Sequence, residues 1–168
     1  MMHKDGVLDP HFEIWKTVKL GLHKSSKEYH IALKTDKCEI CTNAWAMMEG
    51  IPISQEVVEV DLVRVTGHQA GFISRTRRDV IYDHFLGLGL QKCQAEVGPA
   101  LLEEYKDQPV GEVIIVAMDP TTTGFGALGL LDVNCFWNGR GLGSQWGYPD
   151  GEFNPDTKWV FALPRKPA

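Results

Sequence analysis

The tetrapeptide Trp137-Asn138-Gly139-Arg140, set between two strand-like stretches, constrains this chain more than any other feature in it. Leu128 to Trp137 is a long apolar run, and Arg140 to Tyr148 places Leu142, Ser144, Trp146 and Tyr148 on one face. An Asn-Gly pair between two such runs predicts a β-hairpin, because a type I′ turn demands residues that tolerate positive φ. Val113 to Met118 reads as a further strand, and Trp159, Phe161 and Leu163 define a last one before the Pro164 to Ala168 tail.

The N-terminal half alternates between the two periodicities. Phe12 to Leu22 has period 2 and Val57 to Val65 is β-branched, so both read as strands. Ser25-Ser26-Lys27-Glu28 matches a capping box and opens a short helix to about Leu33. Cys41 to Met48 has helical spacing and is closed by Gly50 and Pro52. Thr76-Arg77-Arg78-Asp79 resembles another capped start, followed by a face of Val80, Ile81, His84, Phe85 and Leu88. Gly98-Pro99 opens a fourth helix through Leu101, Leu102 and Tyr105. The order β-α-α-β-α-α-β-β-β-β predicts an α+β fold: an N-terminal strand and short helices with a largely antiparallel C-terminal sheet.

The 168 residues suit one domain, 1–168, and no internal stretch has the composition of a linker. A chain of this size buries roughly 70% of its unfolded surface. A net charge of −5 argues against nucleic acid as the default partner. Met1 to Gly6 lacks the apolar stretch of a signal peptide and no later run is long enough to span a membrane, so a cytoplasmic location is expected. Four cysteines are too few for a disulfide scaffold and are expected as thiols.

Four segments taken together, Trp15-Lys16-Thr17-Val18-Lys19-Leu20-Gly21, Val60-Asp61-Leu62-Val63, Ala95-Glu96-Val97-Gly98-Pro99 and Tyr105 to Glu112, resemble a group of small uncharacterised bacterial proteins, some carried on mobile gene cassettes. The resemblance spans most of the chain and implies no activity and no catalytic residues.

Several motifs lack the context their chemistry needs. Cys38-Glu39-Ile40-Cys41 is one C-x-x-C pair, but a structural zinc takes four ligands, so no metal is expected and the cysteines read as small thiols. Gly124 to Gly129 fits G-x-G-x-x-G yet leads into a strand rather than a phosphate-binding helix, so no nucleotide cofactor is expected either. Asp150, Glu152, Asn154 and Asp156 begin like a calcium loop, but Pro155 and Phe161 occupy the positions where an EF-hand needs glycine and glutamate.

The remaining candidates are clusters. Arg75, Arg77 and Arg78 at a helix start form either an anion site or, on the preferred reading, a solvated group paired with Asp79 and Asp83. Half of the 16 aromatic residues follow position 124, and Trp137 and Trp146, with Gly141, Gly143 and Gly147 leaving room beside them, suggest an aromatic pocket or an interface. His84, Glu96, Tyr105 and Asp107 are the acid–base group to inspect, against an alternative of capping, core and loop roles. The sequence thus leads to a binding or interaction protein whose aromatic C-terminal sheet serves a homodimer, a protein partner or a small ligand. Its binding residues would be Arg77, Arg78, Tyr105, Trp137, Trp146 and Trp159. The alternative is a small enzyme holding an anionic substrate near Arg77 and Arg78, with Glu96 or His84 as acid or base.

Overall fold

The computed structural model describes residues 11–165; the Met1 to Gly6 segment and the end of the C-terminal tail lie outside the described residues. The elements are β1 (Lys16–Leu20), α1 (Ser26–Thr35), β2 (Glu39–Ile40), α2 (Thr42–Glu49), β3 (Val58–Thr66), a 3₁₀ turn (His68–Ala70), β4 (Thr76–Arg77), α3 (Arg78–Gly87), α4 (Val97–Glu104), β5 (Val113–Val116), β6 (Thr121–Thr122), β7 (Leu128–Phe136), β8 (Gly139–Trp146), β9 (Glu152–Phe153) and β10 (Lys158–Leu163). The α+β class and the order of the ten longer elements are those expected. Four two-residue strands, too short to leave a periodic signal, are added.

The sheet is mixed rather than largely antiparallel. Its order is β1-β3-β10-β5-β7-β8-β2, with β6 beside β7 and a separate β4-β9 ribbon. β10 inserts between β3 and β5, antiparallel to the first and parallel to the second, and β2 adds parallel to β8. The insertion merges the N-terminal strands and the C-terminal hairpin into one sheet. Strand order is a long-range property, and that is why local pattern reading misses it.

Helix α4 packs against β1 near one end of this order and against β7 and β8 near the other, so the sheet curls around it. Its first six residues are all buried, as expected of a helix enclosed by a sheet. A Cβ on Gly98 would lie 3.0 Å from the Leu131 side chain, so the close approach of helix to sheet needs glycine there. Helix α1 packs against α4, and α2 packs against α1 and against the β7-β8 hairpin. The opposite, outer face carries Trp159 and Phe161, both covered by α3: Tyr82 meets Trp159 at 5.8 Å and Phe85 meets Phe161 at 5.3 Å between ring centroids. Fully burying a side chain such as Phe161 contributes roughly 1.5–3 kcal/mol.

Local expectations fare unevenly. Ser25 caps α1 by accepting the Glu28 amide, but the Glu28 carboxylate takes the Lys24 amide, so only half of the capping box forms. The first strand is shorter than its period-2 pattern, since Gly21 turns away at φ 79° with no room for a Cβ beside the Glu56 carbonyl. Thr76 does not cap α3. It pairs with β9, and the carbonyls of Gly151 and Pro149 accept the amides of Arg78 and Asp79. The hairpin forms, but Phe136 pairs with Gly139, putting Trp137 and Asn138 at the tip. The positive φ falls on Gly139 at 122°, and Asn138 has none, so the turn is not type I′. The Gly124 to Gly129 segment closes a turn into β7, as the strand context requires.

Candidate functional site

Strand alternation sends Leu130, Asp132, Asn134 and Phe136 of β7 to the outer face, and the register sets Gln145, Gly143, Gly141 and Gly139 of β8 directly beside them. Asn134 Nδ2 donates to Asp132 Oδ1 at 2.7 Å, and Gln145 Nε2 donates to Asp132 Oδ2 at 2.9 Å. A Cβ at position 143 would lie 2.7 Å from Asp132 Oδ1, and one at position 141 would lie 3.0 Å from Asn134 Oδ1. The two glycines therefore provide the space in which the acid and the amide sit.

Asp132 is only 3% exposed. Burial pushes its carboxyl above the usual carboxylate range, and the hydrogen bonds from Asn134 and Gln145 offset only part of that rise. Among the described residues no cation pairs with it. Each carboxylate oxygen accepts one side-chain amide and keeps further acceptor capacity, while Asn134 Oδ1 accepts no hydrogen bond from a described residue. The cluster presents hydrogen-bond acceptors.

A cleft of about 490 Å³ opens over these residues, bordered by Ile40 and Cys41 at the β2 edge and by Val113 and Phe136. Gln145 also borders two adjoining clefts, one toward Thr157 and Lys158 and one toward Arg75 and Asn154, which joins the three along the outer face. The one arginine bordering the first cleft, Arg140, is committed to the carbonyls of Leu102 and Tyr105 at the end of α4. Cys41 is exposed at the rim, and its Sγ accepts the Ala44 amide at 3.4 Å as the N-cap of α2.

A second buried acid, Glu112, stands in a different setting. It accepts from Lys158 at 2.8 Å, Tyr105 Oη at 2.7 Å and Arg64 at 3.4 Å. Burial would raise its carboxyl, but the Lys158 and Tyr105 hydrogen bonds and the charges of Lys158 and Arg64 bring it below the ordinary value. Tyr105 is itself buried between Trp15 and this acid, and its hydroxyl is pushed up to about 12 by burial and by its bond to Glu112. This network fastens the end of α4 to the sheet.

The acid–base group drawn from the sequence does not converge. Glu96 has no exposed surface, and its two oxygens are used by the Gly21 amide, the Ser54 amide and Tyr29 Oη, each within 2.7 Å. It ties two loops to the start of α4. His84 packs edge-on against Phe72 and Phe85 on α3, and neither it nor Glu96 borders the outer groove. The arginines are engaged as well. Arg77 forms a two-bond pair with Asp79, Arg75 bonds Asn154 and the Glu152 carbonyl, and buried Arg78 lies over the Tyr82 ring.

The aromatic residues divide. Trp159 has no exposed surface and belongs to the core, whereas Trp137 is 91% and Trp146 is 59% exposed. Those two occupy opposite ends of the hairpin, roughly 23 Å apart at strand rise, so they do not enclose one pocket. Trp146 meets Tyr148 with their ring centroids 4.5 Å apart and their planes tilted by 40°. Cys38 is buried and Cys41 exposed, and no group of three or more metal-ligating side chains occurs among the described residues. Glu152 and Phe153 of the calcium-like segment form β9.

Asp132 and Asn134 escape a reading that treats Leu128 to Trp137 as uniformly apolar, and Gln145 lies on the opposite face of the return strand from Leu142, Ser144, Trp146 and Tyr148. The signal was the alternation of Asp132 and Asn134 with Leu131, Val133 and Cys135, matched by glycine at 139, 141 and 143. No helix of the described residues is long and apolar enough to cross a membrane. Compared with protein-family models, with curated proteins and with solved structures, the chain finds no match.

Proposed function

We propose that this chain is a cytoplasmic binding protein that takes a small, donor-bearing molecule in the groove on the outer face of its sheet, with Asp132, Asn134 and Gln145 as the polar contacts. One observation carries the reading: a carboxylate almost wholly removed from water, without a counterion among the described residues, is held by two side-chain amides beneath a cleft kept open by two glycines. Burying an acid in this way is costly unless something else uses it, and polar groups that converge in a cleft are the usual mark of a ligand site. The free thiols fit a reducing compartment.

The test is an amide-resolved NMR screen of small polyols, amines and amides against the full chain. Saturable shifts confined to Gly141, Gly143 and the Gln145 side chain are expected. A screen whose hits all map elsewhere would remove the reading. A second reading, self-association through the hairpin tip, is favoured by the exposure of Trp137 and Phe136. Light scattering of wild type and Trp137→Ser tests it, with a loss of mass in the variant as the expected result.

A further inference from the structure

The cleft over Asp132 has a chemical polarity of its own, which narrows the ligand beyond a donor-bearing molecule. Negative charge at its floor comes from Asp132, and Glu39 at its border adds to it, offset only by a 3.7 Å pair with Lys34. Arg140, the cation bordering the cleft, has turned its guanidinium to the α4 carbonyls. The side-chain oxygens of the Asp132-Asn134 pair keep free acceptor capacity beneath the cleft, and the amide hydrogens aimed at Asp132 are already used. At one end of the same cleft the floor turns apolar. Phe136 is two residues beyond Asn134 on the same face and half-exposed, and Val113, which pairs with Asn134, also borders the cleft.

From this arrangement we infer that the groove selects an organic ammonium ion, its charged nitrogen placed on the Asp132 carboxylate and its apolar or aromatic body laid against Phe136. The inference rests on the small-ligand reading given above. An ammonium supplies the charge partner that no described residue gives the buried carboxylate. It brings up to three donors to a site rich in acceptors, and its body covers apolar surface that is otherwise wet. A carboxylate or phosphate ligand would meet Asp132 and Glu39 while Arg140 is held by the α4 carbonyls, and a neutral alcohol would leave the buried charge uncompensated. The two glycines matter because any side chain at 141 or 143 would occupy the position of the nitrogen or displace the acid.

The experiment is a titration of the full chain at pH 7 and constant ionic strength with phenethylammonium chloride, 2-phenylethanol and sodium phenylacetate, read by amide shifts at Gly141 and Gly143. Phenethylammonium should bind at least tenfold more tightly than the alcohol, and phenylacetate should bind more weakly than either. A tenfold ratio corresponds to about 1.4 kcal/mol, within the range of a charge-assisted hydrogen bond. Asp132→Asn should reduce the preference to under twofold. Phe136→Ala, at a position that leaves the core untouched, should weaken phenethylammonium at least threefold and leave ethylammonium unchanged. Equal or tighter binding of the alcohol or of phenylacetate at the same amides would overturn the ammonium assignment while leaving the small-ligand reading in place. So would a preference that survives in Asp132→Asn, or a Phe136→Ala variant that binds phenethylammonium as wild type does. If none of the three probes shifts these amides the assignment falls, and if the broader screen also leaves them unmoved the small-ligand reading falls with it.

Discussion

Glu112 and Asp132 are two nearly buried acids on one sheet, and the protein treats them in opposite ways. Around Glu112 the chain brings Lys158, Arg64 and the Tyr105 hydroxyl, and the carboxyl is held below its ordinary value. Around Asp132 it brings only the amides of Asn134 and Gln145, and the carboxyl is raised. The first arrangement answers charge with charge and closes on itself, as a structural tie does. The second leaves charge and acceptor capacity directed at a cleft. Burial alone therefore does not separate a structural acid from a functional one; the partners it is given do.

The largest effect should come from breaking the closed arrangement. Glu112→Ala removes the shared partner of Lys158 and Arg64, whose side chains reach solvent, and of the buried Tyr105 hydroxyl, and should cost about 2–4 kcal/mol, the loss of a charge-assisted hydrogen bond together with a buried hydroxyl left unpaired, measured by urea denaturation. A loss under about 1 kcal/mol would show that water replaces the acid and that the network is not a tie.

Next is the glycine cradle. Gly143→Ala puts a methyl group 2.7 Å from Asp132 Oδ1. It should cost about 1–3 kcal/mol as overpacking. The double variant Gly143→Ala with Asp132→Ala should recover part of that loss, which a double-mutant cycle reads as coupling. Strict additivity would mean that the glycine serves the backbone and not the acid.

Smaller, and opposite in sign, are the pH effects. Asp132 holds its proton more tightly folded than unfolded, so its contribution is fully present below the unfolded value of about 3.9 and is lost as pH rises through the folded value. Asp132→Asn should therefore match or exceed wild-type stability at pH 7 and lose that advantage near pH 4. Glu112 holds its proton less tightly folded, so its contribution is present above the unfolded value of about 4.3 and is lost as pH falls through the folded one. Thermal melts of Asp132→Asn and Glu112→Gln across pH 3–8 should show pH slopes that depart from wild type in opposite directions. Departures of the same sign would erase the distinction between the two acids. The smallest effect is expected at the hairpin tip, where Trp137→Ser should change monomer stability by no more than about 0.5 kcal/mol.

Much of the fold can be read in the chain because it rests on local periodicity. Ser25 as a cap, the α2 stop at Gly50, the hairpin strands and the alternating β10 need only a few consecutive residues to declare themselves. The site is less legible. Glu96 and Tyr105 look available in sequence, yet their partners lie at Gly21, Ser54, Tyr29 and Glu112, brought together only when the sheet closes around α4. Asp132 and Asn134 hide in an apolar run because a strand with one enclosed face and one partly covered face is mostly apolar throughout.

By itself the sequence determined the element types, their order, the α+β class and the presence of an aromatic-rich C-terminal hairpin, since these follow from spacing, capping and turn chemistry within a few residues. Only the tertiary structure decided that β10 enters between β3 and β5, that the sheet is mixed, that Trp159 is core while Trp137 is not, and that no cation among the described residues pairs with Asp132 whereas two pair with Glu112. Those are questions of which distant groups become neighbours. A side chain's charge is written in the sequence, but its energy depends on what surrounds it after the chain has closed.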